Sequence, residues 1–180
     1  MNGGPARSPE PMDEAGSTER LLIEPLDVRH APELLAALDD ERVGRFIGGP
    51  DVTTLDALIE RIEHLRAGPL DTEQRWINHA VTFDGSVVGR IEATVHDGIA
   101  EVAYVFGPRW WGRGLATEAF TWLVDGLAAE GVDEAWAAVT PGNDAYVGML
   151  LRTGFSEVGN GPSAGLLSYD DGDRVFSRRT

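Results

Sequence analysis

The sequence predicts an α+β protein with a mixed sheet. Three strand-like segments follow one another with only tight turns between them, and such neighbours pair antiparallel. These adjacent strands exclude a purely alternating βαβ sheet. Helical patterns on either side of the meander, with further strand segments after them, complete the α+β pattern.

Arg20 to Leu26 alternates and reads as a strand. Asp27 then stands where a helix N-cap would, and Pro32 falls in the first turns, where proline is tolerated. Leu34, Leu35 and Leu38 form a short apolar stripe, and Gly48-Gly49-Pro50 breaks the chain. Thr53 and Asp56 have near-capping-box spacing, and Leu55, Leu58, Ile59, Ile62 and Leu65 continue at helical spacing until Gly68-Pro69. Trp76 to Phe83 and Val87 to Val95 are strands around the hairpin turn Asp84-Gly85-Ser86. Asp97-Gly98 turns the chain into a third strand, Ala100 to Phe106. Beyond Gly107-Pro108 a glycine-containing loop enters a helix with Ala116, Ala119, Phe120, Leu123 and Leu127 on one face, and Gly131 stops it. Ala135 to Thr140 is a strand, and Asn143 to Leu151 is a short helix ended by Gly154. Phe155 to Val158 and Leu166 to Tyr169 read as strands, with Asp170-Asp171-Gly172-Asp173 turning back into Val175-Phe176.

At 180 residues the chain fits one domain, expected over 19–180, after a Gly-, Pro- and acid-rich tail at 1–18 expected to be disordered. A chain of this size buries about 70% of its unfolded surface, enough for a core without staples. The absence of cysteine excludes disulfides, thiolate zinc sites and cysteine nucleophiles. All 15 basic residues are Arg, which excludes a Walker A lysine and a lysine Schiff base. The net charge of −15 repels nucleic acid and anionic lipid and suits an amine-bearing partner. No signal-like or membrane-spanning run is present, so a cytoplasmic location is expected. His30, His64, His79 and His96 share no metal-ligand spacing, and no metal is expected; His30 and His64 read as helix-surface residues. Gly161-Pro162-Ser163-Ala164-Gly165 matches a hydrolase GxSxG pattern, but that fold needs a His after the Ser, and all four precede it.

The chemistry concentrates in Tyr104 to Ala119, YVFGPRWWGRGLATEA. A strand enters a loop whose Gly112 and Gly114 allow close backbone approach, and a helix follows at once. Its first N–H groups are unpaired and its dipole favours an anion, while Arg113 adds a guanidinium. The loop therefore reads as a phosphate or pyrophosphate cradle; glycines serving loop geometry alone are the plainer alternative. A dinucleotide fold fails because Thr117 stands at the third glycine and no acid ends the next strand.

The segment Trp111-Gly112-Arg113-Gly114-Leu115-Ala116 resembles the cofactor motif of the GNAT superfamily of N-acetyltransferases, Gln/Arg-x-x-Gly-x-Gly/Ala, and its wording is most similar to the RimJ/RimL-like branch. Asn143 followed by Leu150-Leu151-Arg152-Thr153-Gly154-Phe155 resembles the family's second element. The resemblance implies a mixed, mostly antiparallel central sheet of about seven strands with helices on both faces. It implies acetyl-CoA as cofactor, its pyrophosphate on Gly112, Arg113, Gly114, Leu115, Ala116 and Thr117, and its pantetheine arm paired strand-like with Tyr104, Val105 and Phe106. Two departures stand out: Trp111 occupies the usual Gln/Arg position, and Tyr146 a position where the branch commonly has Ser.

Acetyl transfer to an amine needs a base for the ammonium proton and an acid for the departing thiolate. Glu101 resembles in position the catalytic Glu of histone-acetyltransferase members and is the first candidate base; Glu92 is the second. Tyr146 is the candidate acid, because a phenol can donate a proton. Asn143 positions cofactor amides. The acceptor is expected between the Phe46–Pro50 loop, the strand at Trp76 and the terminal hairpin. The branch wording favours a protein or peptide N-terminus. An aminoglycoside or polyamine, or a non-catalytic acyl-CoA sensor, stays open, as does monomer or homodimer.

Overall fold

The computed structural model describes residues 12–46, 54–160 and 165–180. In chain order its elements are β1 (Gly16–Ser17), β2 (Leu21–Pro25), α1 (Ala31–Leu38), α2 (Glu41–Gly44), α3 (Leu55–Ala67), β3 (Arg75–Phe83), β4 (Ser86–His96), β5 (Ile99–Phe106), α4 (Leu115–Ala129), β6 (Glu134–Val139), α5 (Asp144–Arg152), β7 (Ser156–Asn160) and β8 (Arg174–Arg179). They form one eight-stranded sheet in the order β1-β2-β3-β4-β5-β6-β8-β7. Every pairing is antiparallel except β5 with β6.

Local chemistry explains the meander. Both hairpins turn on an Asp-Gly pair with positive φ at each residue, 50° and 76° at Asp84 and Gly85, 48° and 79° at Asp97 and Gly98. That is the two-residue turn whose twist matches right-handed strands. At α3 the cap is Thr54, whose hydroxyl accepts from Ala57 N, one residue beyond the Thr53 expected.

The sheet buries both faces. On one, α4 lays Leu115, Ala119, Phe120, Leu123, Val124 and Leu127 against Ile23, Ile91, Val102 and Phe176. On the other, Leu34 and Leu38 of α1 and Leu58 and Ile62 of α3 pack on Ala80 and Val105. Each fully buried Leu or Phe contributes about 1.5–3 kcal/mol of transfer free energy, so helices on both faces hold the sheet between them.

Four expectations change. Residues 12–18, part of the stretch expected to be disordered, are ordered: Met12 is buried, Gly16–Ser17 pairs with β2, and Met12 N donates to Glu130 at 2.8 Å. Residues 1–11 lie outside the described residues. Leu166 to Tyr169 is not a strand, because Leu167 N and Ser168 N donate to the Glu101 carboxylate instead of to a neighbouring strand. The short helix α2 was not expected; Asp40 caps it by accepting from Arg42 N. His30 is buried rather than on a helix surface, where its Nδ1 accepts from Asp27 N to close a capping box. Gly48-Gly49-Pro50, and residues 161–164 of the GxSxG match, lie outside the described residues.

The parallel pair governs the site. β5 and β6 are in register only at Ile99, Ala100 and Glu101 against Glu134, Ala135 and Trp136, yet β5 runs on to Phe106 and β6 to Val139. Beyond Glu101 the two strands diverge. On its other side β5 stays fully paired to β4, where Gly89 opposes Phe106. A Cβ at Gly89 would press on the Val105 carbonyl oxygen and stand 2.8 Å from Phe106 Cα. Backbone cannot yield as a side chain does, so Gly89→Ala is expected to cost about 1–3 kcal/mol, the range for overpacking, read as a lower urea midpoint. An unchanged midpoint would show that β5 is free to move away from β4.

Candidate functional site

The site is built at the divergence of β5 and β6. A cavity of about 760 Å³ lies there, walled by the start of α4 (Gly112, Gly114, Leu115, Ala116, Thr117), by α5 (Asn143, Tyr146, Met149, Arg152), by Tyr104 to Phe106, and by Arg42 and Trp111. The loop before α4 takes its shape from Gly112 and Gly114, at φ 72° and 75°. Gly114 is the N-cap and offers no side chain. Glu118 N is the first amide to pair within the helix, with Gly114 O at 3.0 Å. The N–H groups of Leu115, Ala116 and Thr117 therefore have no helical partner and form the positive end of a 15-residue helix.

The loop is braced from behind. Arg20 Nε donates to Glu118 Oε2 at 2.6 Å, Arg20 Nη1 donates to Arg113 O at 3.1 Å, and the Thr18 hydroxyl donates to Glu118 Oε1 at 2.5 Å. Burial pushes the Glu118 carboxyl up, but Thr18 and Arg20 outweigh it and hold the group below the usual carboxylate range. An acid in the first turn that would repel an anion is thereby engaged. Arg113, expected as a phosphate contact, turns away: its guanidinium lies 4.7 Å from the Phe83 ring centroid and does not line the cavity. The cations that do line it are Arg42, stacked 5.8 Å over Trp111, and Arg152 of α5. Nothing local marks Arg42 or Arg20, while Arg152 stands in the second family element, where its sequence position alone gives it no phosphate role.

A second cavity of about 400 Å³ lies on the other side of the passage, lined by Arg61, Arg90, Glu92, Ala103, Ala138 and Thr140. The two cavities share Phe46, Tyr104, Val105, Asn143 and Tyr146, so they meet through the gap between the strands. Glu92 forms an ion pair with the buried Arg90, and its own carboxylate is partly exposed. It is the only carboxylate among the described residues lining this second cavity.

Glu101, the expected base, lines neither cavity. It is 6% exposed and accepts from Leu167 N at 2.5 Å, Ser168 N at 2.8 Å and the Ser168 hydroxyl, and pairs with His96 Nε2 at 2.8 Å. Burial raises its pKa, but these donors outweigh burial and the net shift is downward. A carboxylate so engaged is a poor base. Glu101 anchors the 165–169 loop to β5.

Tyr146, the expected acid, is buried between the cavities, and its hydroxyl donates to Val102 O at 2.9 Å. Burial, with Tyr104 beside it, raises its pKa, so the phenol keeps its proton, and that proton is committed to the backbone. Asn143 caps α5, its Oδ1 accepting from Tyr146 N at 3.2 Å, while lining both cavities. Trp111 donates from Nε1 to Phe106 O at 2.7 Å.

A diverging parallel pair, a glycine loop on a helix N-terminus at its mouth and two cavities meeting in the gap define an acyl-group transferase fold. Residues 20–156 match the family described as Acetyltransferase (GNAT) domain, and the chain belongs to that family. It is 26% identical over 149 residues to the uncharacterized N-acetyltransferase YoaA of Bacillus subtilis (strain 168), across 79% of this chain and 82% of that protein. RimL, the ribosomal L7/L12 α-N-protein acetyltransferase solved with coenzyme A, has the same fold at TM-score 0.77 and 15% identity, covering 92% of this chain and 98% of that one. MccE, the microcin C7 self-immunity acetyltransferase solved with acetyl-CoA and AMP, gives TM-score 0.76 at 17% identity, over 91% and 94%. Among the described residues no helix is long and apolar enough to cross a membrane.

The Glu101 network has a pH signature. Glu101's lowered pKa adds stability above its ordinary value of 4.5, lost as pH falls through the lower folded value. For His96 burial lowers the pKa, but Glu101 and Asp97 outweigh it and the net shift is upward. Its contribution is complete below 6.5 and is lost as pH rises through the raised folded value. Glu101→Gln is expected to cost about 1.5–3 kcal/mol, the scale of a hydrogen bond to a charged group. It should also flatten the stability profile at both ends, as followed by denaturant titration at several pH values. A stability profile matching that of the parent chain would show that the loop is held without the charge.

Proposed function

We propose that this chain is an acetyl-CoA-dependent N-acetyltransferase acting on a primary amine, in the first instance a protein or peptide N-terminus. The observation that supports this most is the meeting of the two cavities at Tyr104, Val105, Asn143 and Tyr146, in a gap that β5 and β6 leave open. One cavity has what a nucleotide thioester needs: unpaired amides at a helix start, Arg42 and Arg152 for phosphate, and the diverging edge of β5 at Tyr104. The other offers Glu92, which is ion-paired with Arg90 through Oε2 but has a partly exposed carboxylate that can also meet an ammonium. The two substrates thus approach from opposite sides, as direct attack in a ternary complex requires.

When bound, acetyl-CoA supplies an acetyl thioester, so that transfer to nitrogen makes an amide and releases a thiol. The residues of the chain arrange that exchange. The amides of Leu115, Ala116 and Thr117 and the guanidinium groups of Arg42 and Arg152 hold the phosphates. Glu92 binds the acceptor ammonium and takes a proton at its carboxylate, directly or through water, so that the amine reaches the gap neutral. Tyr146 holds the strands apart, and solvent protonates the thiolate. The RimL and MccE likenesses, at 15% and 17% identity, support the fold and leave acceptor choice to experiment.

Two variants test this reading. Glu92→Gln is expected to lower kcat/KM for the amine about 10²-fold, in line with general-base losses, with the affinity for CoA preserved. Gly114→Asp forces a side chain onto a position with φ 75° and puts an anion at the phosphate cradle; CoA binding by calorimetry should be lost. An active Glu92→Gln enzyme would remove Glu92 from the reaction, and CoA affinity intact in folded Gly114→Asp would remove the cradle.

A further inference from the structure

On the edge of β5 that faces the gap, carbonyl groups point the same way at every second residue. Gly107 N donates to Val88 O, and a Cβ at Gly89 would meet the Val105 oxygen, so Val105 belongs to the β4 side. Val102, Tyr104 and Phe106 therefore face the gap. Two of these three carbonyls are already taken by side chains. The Tyr146 hydroxyl donates to Val102 O at 2.9 Å, and the Trp111 indole donates to Phe106 O at 2.7 Å. Both donors are residues where the sequence departs from the family wording.

We infer that Trp111 and Tyr146 are register pins: by engaging the carbonyls on either side, they leave Tyr104 as the residue of this edge whose C=O best accepts from a bound pantetheine amide. This rests on the proposed acetyl-CoA reading. A ligand on an open strand edge can slip by one repeat, two residues or about 6.6–6.8 Å, and that slip would carry a thioester wholly away from the acceptor cavity. With both neighbours already accepting, a slipped ligand must share a carbonyl with the phenol or the indole, or displace it, and either is a poorer pairing than the open Tyr104 carbonyl. The thioester depth is then set by Tyr104, which also lies at the junction of the two cavities. Trp111 and Tyr146 are positioning residues here, and neither needs to touch the reacting atoms.

The experiment is amide and indole nuclear magnetic resonance of the full-length ¹⁵N-labelled chain titrated with CoA, with calorimetry on the same samples. The Trp111 indole signal is assigned by its loss in Trp111→Phe, a change at a residue 47% exposed that the fold should tolerate. On CoA binding the Trp111 indole N–H is expected to keep its shift and its slow solvent exchange, and the Tyr104 amide to move to one new position. In Trp111→Phe, with Phe106 O released, the bound Tyr104 amide should split into two signals. If CoA binds and the indole signal shifts and loses protection, the ligand has taken Phe106 O and the register inference is overturned. A single unaltered bound Tyr104 signal in Trp111→Phe overturns it too. If calorimetry detects no CoA binding at all, the acetyl-CoA reading falls and the inference with it.

Discussion

The structure depends on one interrupted interaction. A parallel strand pair gains its stability from continuous hydrogen bonding, and buried backbone groups left without partners are costly. Here β5 and β6 pair over three residues and then separate. The divergence persists because other groups fill the gap at its root. The Tyr146 ring is wedged edge-on, 4.9 Å from Tyr104 and 6.2 Å from Phe120, and its hydroxyl satisfies the first open carbonyl. Asn143, capping α5, fixes the turn from which Tyr146 projects. The cavity is thus a property of the sheet topology, sustained by α5, and the cradle at α4 is placed at its mouth because α4 must follow β5 in the chain.

The second support is the N-terminal arm. Met12 seats against Gly126 of α4 with no room for a Cβ between them, and Gly16 lies against Trp122. Glu130 receives both Met12 N and Arg75. These contacts carry the arm along α4 to Thr18 and Arg20, which clasp Glu118 and the loop carbonyl of Arg113. Stability at one end of α4 is therefore coupled to loop order at the other. The arm is remote from any substrate, yet it bears on how the helix start is presented.

How much was legible in the sequence follows the range of the forces. The Asp84-Gly85 and Asp97-Gly98 turns, the Thr and Asp caps, the apolar face of α4 and the Gly112–Gly114 loop are local, and their chemistry is written in consecutive residues. The mixed, mostly antiparallel sheet followed from the family resemblance, which implied about seven strands; the eighth is the edge strand Gly16–Ser17 paired to β2. What local reading missed was pairing across distance. Arg20 meets Glu118 across 98 positions, and Glu101 meets Leu167 across 66. Glu101 stands at the position that resembles a catalytic carboxylate, but position does not reveal partners; once Ser168 and His96 are bonded to it, the same residue is an anchor. Arg113 likewise takes its orientation from a distant partner, the ring of Phe83 at the end of β3.

Charge distribution links the cavities to the start of α4. A chain of net charge −15 should repel a polyanionic cofactor at long range, and a Debye length of about 8 Å at physiological salt limits that repulsion to close approach. Within that distance the sign reverses. Arg42 and Arg152 line the first cavity, Arg61 and Arg90 the second, so four of the 15 Arg residues are gathered around one gap. The acid nearest the helix start, Glu118, is neutralised by Arg20. The exterior can then stay acidic, which favours solubility and draws ammonium groups, while the interior of the site stays cationic toward phosphate. Both cavities thus gather guanidinium groups, and Glu92, ion-paired with Arg90, is the one carboxylate among the described residues on the second side of the opening.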